Sequence, residues 1–353
     1  MNDPNAPIRG RGASWNPQNR FESLAYVVDD EAHIDEDAPA PRTIFMRDPT
    51  RTIITRNDSP DVGFDCSINP YRGCEHGCIY CFARPTHEYL GFSAGLDFET
   101  KILVKEDAPE LLREELSSPK WIPQTIAISG VTDPFQPIER KLEITRRCLG
   151  VLAEFRNPVC IITKNHLVTR DVDHLAELAS HHAVSVNVSV TTLDPNLART
   201  MEPRTSSPEL RLKAIETMAK AGVPVGVMVA PVVPAITDHE MPKILAAAAD
   251  AGATSAGFVV LRLPWAVAPL FEKWLDEHYP DRKDKVLNRV RDLRGGKLYD
   301  AKWGVRGRGE GIFAEQFRAI FDVTCRKLHL NERDYELSTA AFRRRGRQAS
   351  LFD

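Results

Sequence analysis

Between residues 124 and 262 the chain alternates short β-branched runs with longer amphipathic stretches, and this alternation constrains the fold more than any other feature. The β-branched runs are 125–128, 159–162, 184–190, 225–229 and 258–261. Most of them are nearly continuous in apolar residues, as parallel strands covered on both faces are. The pattern predicts an α/β fold with a parallel sheet, open or closed as a barrel. In both cases the functional residues follow the carboxyl ends of the strands.

The stretches between these runs carry the signals of helices. One apolar stripe at helical spacing consists of Ile138, Leu142, Thr145, Leu149 and Leu152. Ser207 followed by Pro208 is a typical start of a helix. Gly222 and Gly252 stand where helices would end. We therefore predict helices that connect successive strands of the sheet.

Composition and pattern divide the chain into four segments. Residues 1–41 are rich in proline and polar residues, so we predict a disordered arm that the fold does not need. Residues 42–263 are the predicted α/β core, and residues 264–336 are a helical extension with a Gly/Arg-rich break at 304–311. Residues 337–353 are predicted to be a flexible basic tail.

The overall composition excludes several classes of protein. With 42% hydrophobic and 27% charged residues the chain is not wholly disordered, and a net charge of −3 argues against wrapping nucleic acid by bulk charge. No apolar run has the length of a membrane span, and the first residues lack the apolar segment of a secretory signal, so we expect a cytoplasmic protein. Seven cysteines then favour reduced thiols, metal ligands or a catalytic thiol over disulfides.

Three of these cysteines form a compact cluster with the spacing C-x3-C-x2-C, namely Cys74, Cys78 and Cys81. Three thiolates this close converge on one inorganic centre only if the chain turns tightly, and Gly73 and Gly77 supply that freedom. Thiolates select Fe–S clusters, zinc or Cu(I). A cubane cluster held by three cysteines keeps one iron without a protein ligand, so that a small molecule can bind there.

Two closed sites are alternatives to this open cluster. A structural zinc site could combine the three cysteines with His76 or His87. An electron-transfer cluster could use Cys66 as a fourth ligand, although Cys66 lies eight residues upstream in a different spacing. The number of ligands, three or four, distinguishes these sites.

The cysteine spacing, with Tyr80 just before the third cysteine, resembles the signature of the radical S-adenosylmethionine (SAM) superfamily. The strings SINPYRGCEHGCIYCFAR, SGVTDPFQPIE, ITKN and MEPRTSSPELRL are similar to the branch related to spore photoproduct lyase, and within it to an uncharacterised bacterial family. The resemblance covers about residues 43–330. It implies a partial (β/α)6 TIM-like barrel in which a [4Fe-4S] cluster cleaves SAM reductively, and the resulting 5′-deoxyadenosyl radical abstracts hydrogen from a substrate. The chain would thus be an enzyme of lyase or oxidoreductase type.

The resemblance also implies roles for individual residues. Cys74, Cys78 and Cys81 match the cluster ligands, and Tyr80 matches the aromatic residue near the adenine. The residues that end the second barrel strand, where the family contacts the SAM amino group, are Ser129, Gly130, Thr132 and Asp133. Thr132 and Asp133 precede a proline, and such a sequence also fits an ordinary turn.

Polar residues after the next strands complete the implied SAM site. Lys164 matches a polar SAM contact, Ser189 and Thr191 are expected at the ribose hydroxyls, and Arg204 at the SAM carboxylate. Each of these four residues is equally compatible with a plain polar position at a strand end.

One departure from the branch affects the substrate. Spore photoproduct lyase carries a cysteine in the loop after the second strand that returns hydrogen to the product radical. Residues 129–133 of this chain contain no cysteine. The resemblance therefore does not imply repair of the thymine lesion on which spore photoproduct lyase acts. Cys148 and Cys160 are predicted to be core residues, and Cys325 has no assigned role.

The last residues resemble the peptide with which bacterial DNA-repair and replication proteins bind the sliding clamp. Leu351 and Phe352 would fill an apolar groove while Gln348 makes a polar contact. A frayed terminus with chance apolar residues is the alternative. If the clamp interpretation holds, the substrate of a radical SAM enzyme could be nucleic acid.

Two function classes remain open from the sequence. The first is a radical SAM enzyme that takes electrons from a flavodoxin- or ferredoxin-type donor. The second is a non-catalytic, metal-stabilised module that binds nucleic acid or the clamp. Three cysteines with an open iron favour the enzyme.

Overall fold

The computed structural model describes residues 8–22, 41–332 and 336–344. Within these ranges the strands are Ile44–Arg47 (β1), Ile54–Arg56 (β2), Cys66–Ile68 (β3), Tyr71–Arg72 (β4), Lys101–Val104 (β5), Ile126–Ile128 (β6), Val159–Thr163 (β7), Val184–Ser189 (β8), Val225–Val232 (β9) and Ser255–Val260 (β10). The α-helices are Leu96–Thr100 (α1), Ala108–Ser117 (α2), Glu139–Leu142 (α3), Ile144–Phe155 (α4), Val172–Ala179 (α5), Pro195–Met201 (α6), Pro208–Lys220 (α7), Met241–Asp250 (α8), Val267–His278 (α9), Lys283–Asp292 (α10) and Gly311–Lys327 (α11). Short 3-10 helices are Arg84–Leu90, His166–Asp171, Asp238–Glu240 and Pro280–Arg282.

Seven strands form the main sheet in the order β10-β9-β8-β7-β6-β3-β2. All neighbours from β3 to β10 run parallel, and β2 pairs antiparallel with β3 at the edge. Helices connect the parallel strands, and their apolar faces pack with the sheet into one large core. The predicted α/β fold is confirmed, and every predicted β-branched run lies in or overlaps a strand.

A smaller sheet of β1, β5 and β4 accompanies the main sheet. β1 pairs parallel with β5, and β4 pairs antiparallel with it. β4 directly precedes the three-cysteine segment, so this sheet fixes where that segment begins.

The structure agrees with the helix starts and ends that the sequence predicts, with one difference. Ser207 caps α7 by accepting a hydrogen bond from the Leu210 N–H, and Gly222 has the left-handed φ of 74° expected after a helix. The stripe over 138–152, however, divides into α3 and α4, because Glu143 adopts a left-handed φ of 52°. The Glu139 carboxylate accepts hydrogen bonds from the first N–H groups of α4, which supports a new helix start there.

Residues 8–22 lie against the core, which differs from the disordered arm expected from composition. Ala13 is only 1% exposed. The N–H groups of Gly12 and Ala13 donate to the buried Glu99 carboxylate at 3.0 and 2.8 Å, and Asn19 donates to two carbonyls of the 88–92 turn. Polar backbone contacts hold this segment, and apolar content does not reveal such contacts.

The C-terminal part also contacts the core beyond its helices. Phe342 lies 6.3 Å from Phe155 between ring centroids, and the Arg343 N–H donates to the Phe155 carbonyl. Among the residues that the structure describes, no helix is both long and apolar enough to cross a membrane.

Candidate functional site

The three-cysteine segment is a tight loop after β4. Gly73 and Gly77 adopt φ values of 80° and 67°, which favour glycine. A Cβ atom on Gly73 would lie 2.9 Å from the His87 ring and from the Phe98 carbonyl oxygen, so the loop also needs glycine for space. Cys74 and Cys78 are buried, Cys81 is half-buried, and all three are free thiols.

The loop suits a metal centre held by thiolates. Burial raises the pKa of the Cys74 and Cys78 thiols well above the usual range, and the neighbouring cysteines add to the shift for both. Without a cation these thiols would stay protonated, whereas iron stabilises the thiolate form that ligates it. Within the described ranges, no three His, Cys, Asp or Glu side chains stand as ligands of a single metal ion.

Of the side chains considered as a fourth ligand, His76 has partners at both ring nitrogens, His87 has one at Nε2, and Cys66 lies in the main core. The His76 ring faces Asp133 at 3.4 Å through Nδ1 and Asn165 at 3.1 Å through Nε2. His87 Nε2 donates to the Lys101 carbonyl at 2.9 Å. Cys66 lies in β3, fully buried in the main core. These contacts favour three protein ligands over four.

The loop after β6 is fastened to the cysteine loop. Thr132 Oγ1 donates to the Gly73 carbonyl at 2.6 Å, and the Val131 N–H donates to Asn69 at 3.2 Å. Ser129 and Gly130 both adopt positive φ, 148° and 133°, which is a strained conformation for Ser129. The strand end expected at the SAM amino group therefore lies beside the cysteines.

Asp133 is fully engaged within the protein. Its carboxylate accepts hydrogen bonds from Thr163 Oγ1 at 2.7 Å, the Lys164 N–H at 2.8 Å and the Phe135 N–H at 2.9 Å. Burial alone would raise its pKa, but His76 and the backbone donors outweigh burial and lower it. Asp133 thus stays ionised and joins the ends of β6 and β7.

Tyr80 belongs to a buried polar network. Its hydroxyl donates to Glu202, which also accepts a hydrogen bond from Thr191 Oγ1 at 2.8 Å and pairs with Arg211. Burial raises the pKa of Tyr80, and the Glu202 carboxylate raises it further. Burial favours neutral Glu202, yet Arg211 and Lys164 lower its pKa. The network fixes the Tyr80 ring beside Cys78.

Glu202 and Arg211 are functional residues that no sequence signal predicts, although both lie in the string MEPRTSSPELRL. Arg211 is fully buried in α7 and donates also to the Ser189 carbonyl at 3.2 Å, so it supports the end of β8. The sequence does not show that Glu202 and Arg211 pair, because they stand nine positions apart and meet only when helices α6 and α7 have folded. The Ser189 and Thr191 side chains are both buried at that strand end.

Lys164 and Arg204 differ in their availability. Arg204 pairs with Glu75 at 3.1 Å and is 31% exposed, so its charge is already partly compensated. The Lys164 ammonium lies 5.9 Å from the Tyr80 ring centroid, and no carboxylate of the described residues forms an ion pair with it. Of the two cations, Lys164 is the better placed to meet an anion beside the cysteine loop.

The remaining predicted features lie elsewhere. Cys148 is buried in α4 and Cys160 half-buried in β7, as expected for core residues, and Cys325 is buried in α11. Residues 129–133 carry no thiol. Gln348, Leu351 and Phe352 lie outside the described residues.

Comparisons with known proteins point to one family. The sequence model of the Radical SAM superfamily matches residues 68–248. "Uncharacterized protein Rv2578c" of Mycobacterium tuberculosis is 40% identical over 232 residues, which cover 65% of this chain and 67% of the relative. Spore photoproduct lyase of Bacillus subtilis is 29% identical over 183 residues, covering 50% of this chain and 48% of the lyase. A structure of "Spore photoproduct lyase complexed with dinucleoside spore photoproduct" has a TM-score of 0.59 at 17% identity, over 80% of this chain and 79% of that chain. This shared fold agrees with a partial TIM-like barrel.

Proposed function

Because the chain belongs to the radical SAM superfamily, we propose that Cys74, Cys78 and Cys81 hold a [4Fe-4S] cluster with one iron open to SAM. Members of this family bind a [4Fe-4S] cluster and SAM. The observation that carries the proposal is a loop that contains three free thiols and whose turns require glycine. A hydrogen bond from Thr132 joins this loop to the carboxyl end of a parallel strand. Of the alternative fourth ligands, His76 is held by Asp133 and Asn165, and Cys66 lies in the main core.

When bound, the cluster supplies the electron that breaks the sulfonium C–S bond of SAM and releases methionine and a 5′-deoxyadenosyl radical. The protein's task is to position SAM and to exclude water and stray C–H bonds from the radical. Tyr80, held by Glu202, forms one wall beside the adenine in this proposal. The buried apolar strand residues form the floor.

We assign SAM contacts on the same basis. Ser129 and Gly130 present backbone groups to the amino group, with Thr132 and Asp133 holding that loop in place. Lys164 meets the carboxylate, since Arg204 already pairs with Glu75. Ser189 and Thr191 line the ribose end.

The test is anaerobic reconstitution followed by incubation with SAM and dithionite. The reconstituted protein is expected to be brown, with about four irons per chain, and to release 5′-deoxyadenosine detected by chromatography. Cys78→Ala should lose the colour and the product. Cys160→Ser is the matched control, because this thiol lies in β7 outside the loop, and it should retain both. A colourless protein with one tightly bound zinc would contradict the proposal.

For the substrate we propose nucleic acid, because spore photoproduct lyase, whose fold is similar, forms a complex with a dinucleoside spore photoproduct. The reaction would differ from that of the lyase, since residues 129–133 offer no thiol to return hydrogen.

Radical SAM enzymes need an electron donor, and we propose a flavodoxin or ferredoxin. We also propose that Gln348, Leu351 and Phe352 bind the sliding clamp. The core of this enzyme is residues 42–263, and the helices of 264–336 extend it.

A further inference from the structure

A group of arginine and aromatic side chains lies at the carboxyl end of β10. We call it the arginine–aromatic surface, and its members are Phe82, Arg262, Trp265, Tyr299, Trp303 and Arg306. The Arg262 guanidinium stacks 4.2 Å from the centre of the Phe82 ring, and that of Arg306 stacks 4.2 Å from Trp303. Trp265 and Tyr299 contact each other with ring centroids 5.5 Å apart. Trp265 is 53% and Trp303 47% exposed, although large aromatic rings are normally buried.

This surface spans the two edges of the main sheet, β10 and β2. At one end the Val260 N–H of β10 donates to the Gly307 carbonyl at 2.9 Å. At the other end the Gly304 N–H donates to Asp61, in the loop after β2, at 2.6 Å, and Arg306 pairs with the same carboxylate. The segment 304–307 therefore bridges the end of the edge strand β10 and the loop after the other edge strand, β2, where a partial barrel is open at its side.

Of the two arginines in the surface, Arg306 is paired with Asp61, whereas Arg262 is not matched by a carboxylate of the described residues. Arg262 makes no ion pair within the described residues, and its buried Nε has no hydrogen-bond partner. The buried Arg294 behind it donates to the Leu261 carbonyl at 2.9 Å and to that of Val305, and likewise lacks a carboxylate. Residues 294–309 contain five lysines and arginines but one aspartate, in a protein of net charge −3.

The electrostatic state of Arg262 reflects this environment. Burial lowers its pKa, and the nearby Arg306 lowers it further, whereas Tyr299, Cys81 and Asp61 act in the opposite direction. A half-buried guanidinium that makes no ion pair gains from a bound anion. Because Arg262 stacks on Phe82, the residue after Cys81, such an anion would lie next to the cysteine loop.

We propose that the arginine–aromatic surface binds the substrate as a single strand of nucleic acid, a proposal that rests on the radical SAM function above. Arg262 contacts a phosphate. Bases stack on the face of Trp303 that Arg306 leaves open and on the face of Trp265 that the Arg20 guanidinium, 4.2 Å from its ring centroid, does not cover. Exposed aromatic rings beside guanidinium groups are the usual means of binding unpaired bases and their backbone. A duplex hides its base faces, and an acidic peptide has none, so neither makes use of both tryptophans.

The test measures binding by reconstituted full-length protein in the presence of SAM. Fluorescent 12-mers of single-stranded DNA, single-stranded RNA and duplex DNA are titrated by anisotropy, with polyglutamate as a competitor. DNA and RNA strands are compared because both offer phosphates and bases. We expect a strand of one kind or both to bind at least tenfold more tightly than the duplex, with affinity falling as salt rises.

Two variants test the named contacts. Trp303→Ala should weaken strand binding about tenfold or more, since one stacked base is lost. Arg262→Gln should weaken it about tenfold and flatten the salt dependence. Ile312→Ala and Lys213→Ala remove an exposed apolar and an exposed charged side chain elsewhere and should leave affinity unchanged.

Several results would overturn the proposal. These are equal binding of strand and duplex, full competition by polyglutamate, or wild-type affinity in both variants. A change in Arg262→Gln confined to the absorption and EPR spectra of the cluster would assign this arginine to the cysteine loop instead. Failure of the enzymatic proposal is separate, because it appears as wild-type protein that forms no 5′-deoxyadenosine from SAM and dithionite.

Discussion

At the scale of single residues, the most consequential contact is the ion pair of Glu202 and Arg211 beneath Tyr80. Both partners are buried, and Glu202 also accepts hydrogen bonds from Tyr80 and Thr191. Removing one partner of such a pair leaves the other charge uncompensated in a medium of low dielectric constant. The pair therefore matters for stability and for the position of the Tyr80 ring at once.

We expect Arg211→Met to lower the free energy of unfolding by about 3–5 kcal/mol, because Glu202 loses its counter-charge. Lys213→Ala, on the same helix, removes an exposed ion pair with Glu216 and should change that free energy by less than about 1 kcal/mol. Urea unfolding of both variants under anaerobic conditions measures the difference. Equal midpoints for the two would show that Glu202 is satisfied without Arg211.

His87 predicts a dependence of stability on pH. Burial lowers its pKa from 6.5 to about 4, although the bond to the Lys101 carbonyl acts in the opposite direction. Between these two values the unfolded chain binds the proton and the folded chain does not, so stability falls as pH falls from 6.5 toward 4. The full difference between the two pKa values corresponds to a change of about 3 kcal/mol in the free energy of unfolding.

We expect His87→Gln, whose amide can still donate to the Lys101 carbonyl, to lose this part of the acid sensitivity. Urea unfolding at several pH values from 4 to 7 measures it, with exposed His239→Gln as the matched control. The free-energy curve of His87→Gln should be flatter than that of the wild type, and that of His239→Gln should follow the wild type. Parallel curves for all three proteins would mean that His87 has the same pKa in the folded and the unfolded chain.

At the scale of elements, the segment 8–22 acts as a strap over the cysteine loop. The Arg84–Glu99 pair is buried, and Glu99 accepts the N–H groups of Gly12 and Ala13. A Cβ atom on Gly12 would lie 1.7 Å from the Gly77 carbonyl oxygen, so the strap fits only with glycine at this position. This contact links the N-terminal segment to the loop between Cys74 and Cys78.

Gly12→Ala is expected to displace the strap and to lower the free energy of unfolding by about 2–3 kcal/mol, since a buried carboxylate loses its backbone donors. Urea unfolding measures this loss, and limited proteolysis should show faster cleavage before residue 22. Gly63→Ala is the control, because a Cβ atom there meets no atom within 4 Å, and its effect should stay within about 0.5 kcal/mol. Wild-type stability of Gly12→Ala would mean that the strap contributes nothing.

The elements also show what a sequence reveals. The strands β6 to β10 could be predicted because their apolar runs depend on local composition, and the cap at Ser207 because it depends on adjacent residues. The cysteine cluster could be predicted for the same reason, because its three cysteines are close together in the sequence. The strap and the Glu202–Arg211 pair could not be predicted, because each joins residues that meet only after the chain has folded. The break at Glu143 depends likewise on the distant environment of Glu139, including Arg170.

At the scale of the whole molecule, two segments are rich in basic residues although the chain has a net charge of −3. One is 294–309 at the side of the barrel, and the other is 343–347, which precedes the proposed clamp peptide. The field of such a segment decays within about 8 Å at physiological ionic strength. Recognition by either segment therefore depends on direct contacts, in which apolar or aromatic side chains supply the selectivity.

Binding to the sliding clamp allows the contributions of the arginines and of the apolar side chains to be measured separately. A peptide of residues 343–353 should bind the cognate sliding clamp with micromolar affinity, because two apolar anchors and one polar contact support about −7 to −8 kcal/mol. Replacing Leu351 and Phe352 with alanine should abolish binding, whereas the wild-type peptide should still bind at high salt because apolar contacts are not screened. Titration of the clamp with both peptides and with full-length protein, at low and high salt, measures this. Equal binding of the two peptides, lost at high salt, would mean that the arginines alone adhere to an acidic surface, and the peptide would then have no specific partner in the clamp.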